Sequence, residues 1–152
     1  MKTDEKKLPD NQPCFKYNSE YRIAICSVCK YGVPPRSVKR HFSDEHPVIA
    51  KKRKAEIKLF RQEREPHLAQ VGDVVHPDQV CAPIEGILTH TRYVCPVGDC
   101  RFEGVARADY PNHHQTILKE MNRHCKNVHA MIKQQKWEGV PVQTIFKNPY
   151  IK

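Results

Sequence analysis

The chain has 152 residues, a formal net charge of +9, 39% hydrophobic residues, 12 prolines and seven cysteines. That length suits one domain or two very small ones, and units so small need a metal or disulfides to supplement a modest core. No apolar run of about 18 residues is present to span a membrane, and the polar opening MKTDEKKLPDNQP is not expected to act as a secretory signal.

Residues 1–20 read as a flexible tail, charged and interrupted by Pro9 and Pro13. The stretch YRIAICSVC then predicts a short strand running into a cysteine pair, and opens a first unit over residues 21–65. After His46, PVIAKKRKAEIKLFRQERE predicts a helix from about Ala50, with Ile57 and Phe60 as a sparse apolar stripe and Pro66 as its stop. Residues 66–152 are expected to form a second unit. It begins with turn signals (VGD, HPD, IEG) between short β-branched runs, and TRYVC leads into a second cysteine pair. One long helix is predicted from Asn112, as N-cap, to about Lys136, stopped by Gly139 and Pro141. Ile117, Met121, Val128 and Ile132 should face a core, while Lys119, Arg123, Lys126, Lys133 and Lys136 belong to the other faces. VPVQTIFKNPYIK reads as a short terminal strand or extended segment, with Trp137 and VQTIF as core shared by both units.

Without a secretory route, closely spaced cysteines read as metal ligands rather than disulfides. The first set is Cys26-x2-Cys29-x11-His41-x4-His46. Soft thiolates with imidazoles favour zinc in a closed tetrahedron, here from a tight turn and a helix. A gap of four residues turns the second histidine about 140° from the first on an ideal helix. The helix must therefore loosen in its last turn, and Pro47 right after His46 fits a helix finishing there. The second set is Cys95-x4-Cys100-x23-His124-x4-His129. Cys125 and His129 share one helical face, so Cys95, Cys100, Cys125 and His129 is also a sound ligand set. His113 and His114 could reach in as well, although their position suits exposed residues at a helix start. Cys14 and Cys81 read as plain thiols.

The two sets belong to an internal repeat. Cys29-x-Tyr31 corresponds to Cys100-x-Phe102, and Val38 precedes His41 by three residues as Met121 precedes His124. Apolar positions that would cover the ligands thus recur with the ligands, and the repeat favours His124 over Cys125. Neither set looks catalytic, because a catalytic zinc keeps an open position and usually a carboxylate close by. Asp44 and Glu45 lie between ligands, but on a helix they should point to solvent. The chain is therefore not expected to be an enzyme.

Four blocks, YRIAICSVCKYGVPPRSVKRHFSDEHPVI, APIEGILTHTRYVCPVGDCRF, MNRHCKNVH and KWEGVPVQTIF, resemble in order the fungal OrsD-like zinc-finger domain, over roughly residues 17–147. That resemblance implies a nuclear C2H2-type or BED-like module, found alone or beside RecQ-like helicase regions. It places metal ligands at Cys26, Cys29, His41, His46, Cys95, Cys100, His124 and His129, and a tail motif at Trp137, Gln143, Thr144 and Phe146. No helicase region is expected within these 152 residues.

The fold expected from these readings is small α+β: two ββα-like Cys2His2 units, holding two zinc ions per chain and packed as one body, with short strands and a long C-terminal helix. In a ββα finger the helix before the first histidine faces the DNA major groove, which here assigns Arg36, Ser37, Lys39 and Arg40. Lys51, Lys52, Arg53 and Lys54 add cations for phosphates or nuclear import. Between His46 and Cys95 lie 48 residues, too many for adjacent fingers following one groove. DNA is the expected partner and the nucleus the expected location. A protein–protein adaptor is the alternative and RNA binding a distant third, with neither a membrane nor a small-molecule substrate expected.

Overall fold

The computed structural model describes residues 7–74, 82–131 and 137–146. The architecture is small α+β, and the chain divides into two compact units, Met1–Ile87 with Thr144–Lys152, and Leu88–Gln143. The division after Ile87 lies well beyond the boundary expected at residue 65, and the terminal segment returns to the first unit. Among the described residues no helix is long and apolar enough to cross a membrane.

The first unit is built on an antiparallel sheet of β1 (Phe15–Asn18), β2 (Ile23–Cys26) and β3 (Gly32–Val33), in that order. Strand β1 corrects the expected tail: Phe15 pairs with Cys26 and Asn18 with Ile23. FKYN carries little periodicity of its own, and it is ordered by that pairing together with burial of Cys14 and Phe15. Alternation along β2 sends side chains to two cores. Ala24 and Cys26 join a cluster with Phe15, Val38, Phe42 and Ile57. Ile23 and Ile25 join one with Ala69, Ile87, Ile145 and Phe146. A strand buried on both faces reads as a continuous apolar run, as IAIC does. Gly32 donates its N–H to the Ile145 carbonyl and pairs in parallel with Phe146. A Cβ at Gly32 would stand 2.8 Å from the Ile145 oxygen, so only glycine admits the returning segment.

Helix α1 (Pro35–Glu45) starts on a proline, whose missing N–H costs nothing in a first turn. It buries Val38, His41 and Phe42, a spacing that makes one helical stripe. The single helix expected from Ala50 is two, α2 (Pro47–Lys52) and α3 (Lys54–Arg64), broken at Arg53. Ile57 is buried and Phe60 half-buried against the α1 core, as the apolar stripe suggested. Pro66 lies in the short 3-10 turn Glu65–His67 that follows α3.

The second unit has a sheet in which β4 (Thr89–Val94) lies between β5 (Glu103–Ala106) and β6 (Val140–Gln143), all antiparallel. Helix α4 (His113–His129) buries Ile117, Met121 and Cys125. Ile117 and Met121 join a core with Tyr93 and Ala106, against which Leu118 and Trp137 pack. Trp137 also donates from Nε1 to the Asn122 side-chain oxygen at 2.8 Å. Asn112 occupies the N-cap position in a left-handed conformation (φ 58°), and its side chain makes no capping bond. The helix ends at His129, earlier than expected: Ala130 is left-handed, and the N–H groups of Ala130 and Met131 both reach the Cys125 carbonyl. The helix thus stops at a left-handed residue other than glycine. Val128 is 64% exposed rather than in the core, because the α4 stripe follows residues 117, 121 and 125. Ile132, Lys133, Lys136 and Cys81 lie outside the described residues.

Candidate metal centres

The first centre is assembled by the β2–β3 turn and α1. Cys26 closes β2, and its N–H bonds to the Tyr31 carbonyl while Lys30, left-handed at φ 58°, donates to the Cys26 carbonyl at 2.8 Å. The tight turn brings the Cys29 N–H to 3.4 Å from the Cys26 Sγ. Opposite it, His41 lies within α1, and His46 leaves helical geometry at φ −137°, ψ 59°. The loosening expected from the spacing therefore falls on His46 itself, and Pro47 begins the next helix.

Cys29 Sγ lies 3.6 Å from His41 Nε2 and 3.0 Å from His46 Nε2, and Cys26 Sγ lies 3.6 Å from His46 Nε2. A four-coordinate ion with bonds of about 2.3 Å to sulfur and about 2.0–2.1 Å to nitrogen has S···N edges of about 3.6 Å. The four donor atoms all fall within 4.8 Å of one another, so the group can hold a metal ion. His41 Nδ1 is buried with no hydrogen-bond partner in the described structure. Its polar interaction must come from Nε2, which faces the other donors. Contact with Cys26, reinforced by His41 and His46, pulls the Cys29 thiol down to about 3. The Cys26 thiol is pushed up by Cys29 and by burial. A bound cation would displace the protons of both thiols.

The second centre repeats the plan on β4, β5 and α4. The Cys95 N–H bonds to the Phe102 carbonyl, the counterpart of the Cys26–Tyr31 closure. Between the cysteines, Gly98 takes φ 47° and the Cys100 N–H bonds to the Val97 carbonyl, so a knuckle with four intervening residues still closes. Cys100 Sγ lies 3.3 Å from His124 Nε2, and His124 Nε2 lies 3.2 Å from His129 Nε2. The expected edges are about 3.6 Å for S···N and about 3.3 Å for N···N. Cys95, Cys100, His124 and His129 offer donor atoms within 4.8 Å of one another, a second group able to hold a metal ion.

The wide gap in this set is accounted for locally. Helix α4 begins eleven residues before His124, whereas α1 begins six before His41. The β5–α4 connection is Arg107–Asn112, where β3 and α1 are joined by Pro34 alone. The covering residues predicted by the repeat are in place: Val38 and Met121 are both almost completely buried. Phe102 differs from its counterpart, stacking on His124 at 3.9 Å while remaining partly exposed, whereas Tyr31 is buried.

Three histidines near the second centre serve the scaffold. His113 Nδ1 accepts from the Arg107 N–H at 2.9 Å, and His114 Nδ1 lies 2.8 Å from the Tyr93 hydroxyl. His90, which the sequence did not single out, is buried and accepts the Ala108 N–H at Nδ1; burial pushes its pKa down. Cys125, the rival ligand, stands outside the group of four, with its Sγ 3.9 Å from that of Cys95. Asp44 and Glu45 are exposed, as expected for helix charges.

On the surface of the first unit, Arg36, Lys39 and Arg40 are exposed along α1 and Ser37 is half-buried. Lys51, Lys52 and Lys54 are exposed across the α2–α3 break. Arg53 is corrected. Its side chain is turned inward at 14% exposure, donating to the Pro9 carbonyl at 2.7 Å and to the Gln12 carbonyl, and pairing with Glu56 at 3.5 Å. Its helix-breaking backbone (φ −119°, ψ 29°) aims it at residues 9–12 rather than outward with its lysine neighbours.

A small α+β chain with two Cys2His2-type groups, each made by a strand–knuckle–strand and a helix, is a finger-like domain of two centres. Residues 13–130, a span holding all eight ligand positions, match the OrsD family, described as orsellinic acid/F9775 biosynthesis cluster protein D. The chain belongs to that family. No curated protein and no solved structure matches it.

Proposed function

We propose that the chain is a zinc-stabilised, non-enzymatic nuclear module that binds duplex DNA chiefly through phosphate contacts. Zinc suits both groups because two thiolates and two imidazoles per site match its preferred donors and closed tetrahedral geometry. All four groups of each set are protein side chains, which leaves no coordination position for substrate.

The observation that carries the DNA reading is the division of α1 into two faces. Val38, His41 and Phe42 are buried on one, while Arg36, Lys39 and Arg40 are exposed on the other. Binding of metal and packing of Phe42 thus hold a basic helix face towards solvent. Lys51, Lys52 and Lys54 extend the cationic surface, and Ser37 can donate to a phosphate oxygen. Asp44 stands 3.7 Å from Arg40, so this cation is already partly compensated. Arg36 and Lys39 are therefore the principal contacts.

Salt titration of the zinc-loaded chain against duplex DNA tests the proposal. Log affinity should fall linearly with log salt at about −0.9 per phosphate neutralised. Replacing Arg36, Lys39 and Arg40 by Gln should weaken binding and flatten the slope by about 2–3. Affinity unchanged by the triple replacement would contradict the α1 assignment. The adaptor reading draws on Leu59 and Val128, exposed at 54% and 64%. Absence of salt-dependent duplex binding would favour it.

A further inference from the structure

The second centre holds one more donor than a tetrahedral ion uses. Cys125 is almost completely buried, beside Met121 in the α4 stripe, and its Sγ lies 3.9 Å from Cys95 Sγ. The S···S edge of a tetrahedral ion with bonds of about 2.3 Å is about 3.8 Å. Cys125 thus already stands at ligand-to-ligand distance from one ligand of the group. His124, its neighbour in sequence, approaches from the more open side, with its ring against the partly exposed Phe102. The two side chains flank the site from consecutive positions of one helix. The helix stop gathers on the same residue, because the Ala130 and Met131 N–H groups both close on the Cys125 carbonyl. The first centre has no such reserve: the remaining described thiol of that unit, Cys14, lies beside Arg53 and Glu56 and is outside the ligand group.

We propose that Cys125 is an alternative ligand of the second centre, and that soft divalent cations of the cadmium class are held there by Cys95, Cys100, Cys125 and one imidazole. Thiolate sulfur is the soft donor, so exchanging an imidazole for a third thiolate favours such ions over zinc. Zinc keeps His124, whose Nε2 already lies against Cys100 and His129. The inference rests on the metal-binding reading of the second group, and makes the two centres unequal: the first has two thiolates for any ion, the second two or three according to softness.

Cadmium-113 NMR of the full chain, stripped of metal and reloaded with two equivalents of cadmium, tests this. The expected spectrum has two resonances, one in the two-thiolate region and one further downfield in the three-thiolate region. Cys125→Ser should move only the downfield resonance, onto the two-thiolate position, and lower thiolate-to-cadmium charge-transfer absorbance by about one-fifth, one sulfur in five. His124→Ala should keep both resonances, whereas His41→Ala should perturb the two-thiolate one. Two wild-type resonances both in the two-thiolate region would overturn the proposal while leaving two metal centres intact. Failure to bind two cadmium ions would instead remove the metal-binding reading beneath it. The wild-type spectrum decides the matter even if Cys125→Ser does not fold.

Discussion

The two centres use the same donors on the same strand–knuckle–strand–helix plan, yet their surroundings differ. Around the first, Cys26 and His41 are buried, and aromatic rings close over the helix: Phe42 lies 4.9 Å from Phe15 and 5.2 Å from His46. Phe60 stacks on Phe15 from α3 at 4.8 Å. Around the second, Cys95 alone of the four ligands is buried, and the buried apolar cluster consists of Tyr93, Ala106, Ile117 and Met121. Identical donor sets can thus be paired with a larger apolar core or with a smaller one.

The largest effect that could break this comparison is metal removal. Structural zinc sites of small fingers carry about 10–16 kcal/mol of apparent binding energy, more than such a unit's own stability. Titrating a chelator while following amide hydrogen exchange should strip protection from Leu88–Gln143 at lower chelator than from the β1–β2–α1 region. Simultaneous loss in both would show that the two cores contribute alike.

Next in size is the aromatic support. Phe42→Ala should cost about 3–5 kcal/mol in denaturant unfolding, as for other buried phenylalanines. It should also weaken metal retention at the first centre while sparing the second. Equal weakening of both would deny the local role given to Phe42.

A third, smaller effect concerns Cys14, which has no counterpart among the repeated positions. Burial pushes its thiol from 9.0 to about 11. Because the folded value is the higher, its contribution is complete below about pH 9 and lost as pH rises towards 11, approaching about 3 kcal/mol. Cys14→Ala should therefore flatten alkaline destabilisation between those values in pH-dependent unfolding. An unaltered alkaline limb would contradict it.

The smallest effect separates structure from surface in the first unit. Arg53→Ala should cost about 1–2 kcal/mol and release residues 9–12 to faster amide exchange. Duplex affinity should hardly change. Lys52→Gln should do the reverse, leaving stability alone and reducing the salt slope by about 1. Equal losses of affinity in both variants would return Arg53 to the binding surface.

The centres were legible in the sequence because their constraints are local. Spacing fixed the ligands, and recurrence of Val38 as Met121 and Tyr31 as Phe102 identified the covering residues. It also favoured His124 over Cys125 in the group of four. What escaped depends on distant partners. FKYN becomes a strand only against IAIC, and Ile145 with Phe146 reaches β3 from the far end of the chain. The KKRK run looked uniform, but one residue in it sits at a helix break and turns to the carbonyls of residues 9 and 12. Val128 is apolar and seven residues past Met121, a core-like spacing, yet it lies off the buried stripe of residues 117, 121 and 125 and is exposed.

The most direct test of two metal centres in one chain is native mass spectrometry of the protein purified without added chelator. The mass should exceed that of the denatured chain by two zinc ions, with protons lost to balance the thiolates. Cys26→Ser, and Cys95→Ser combined with Cys125→Ser, should each reduce the load to one. A wild-type load of one or none, or a load unchanged from wild type in the Cys95→Ser/Cys125→Ser variant, would contradict the two-centre account.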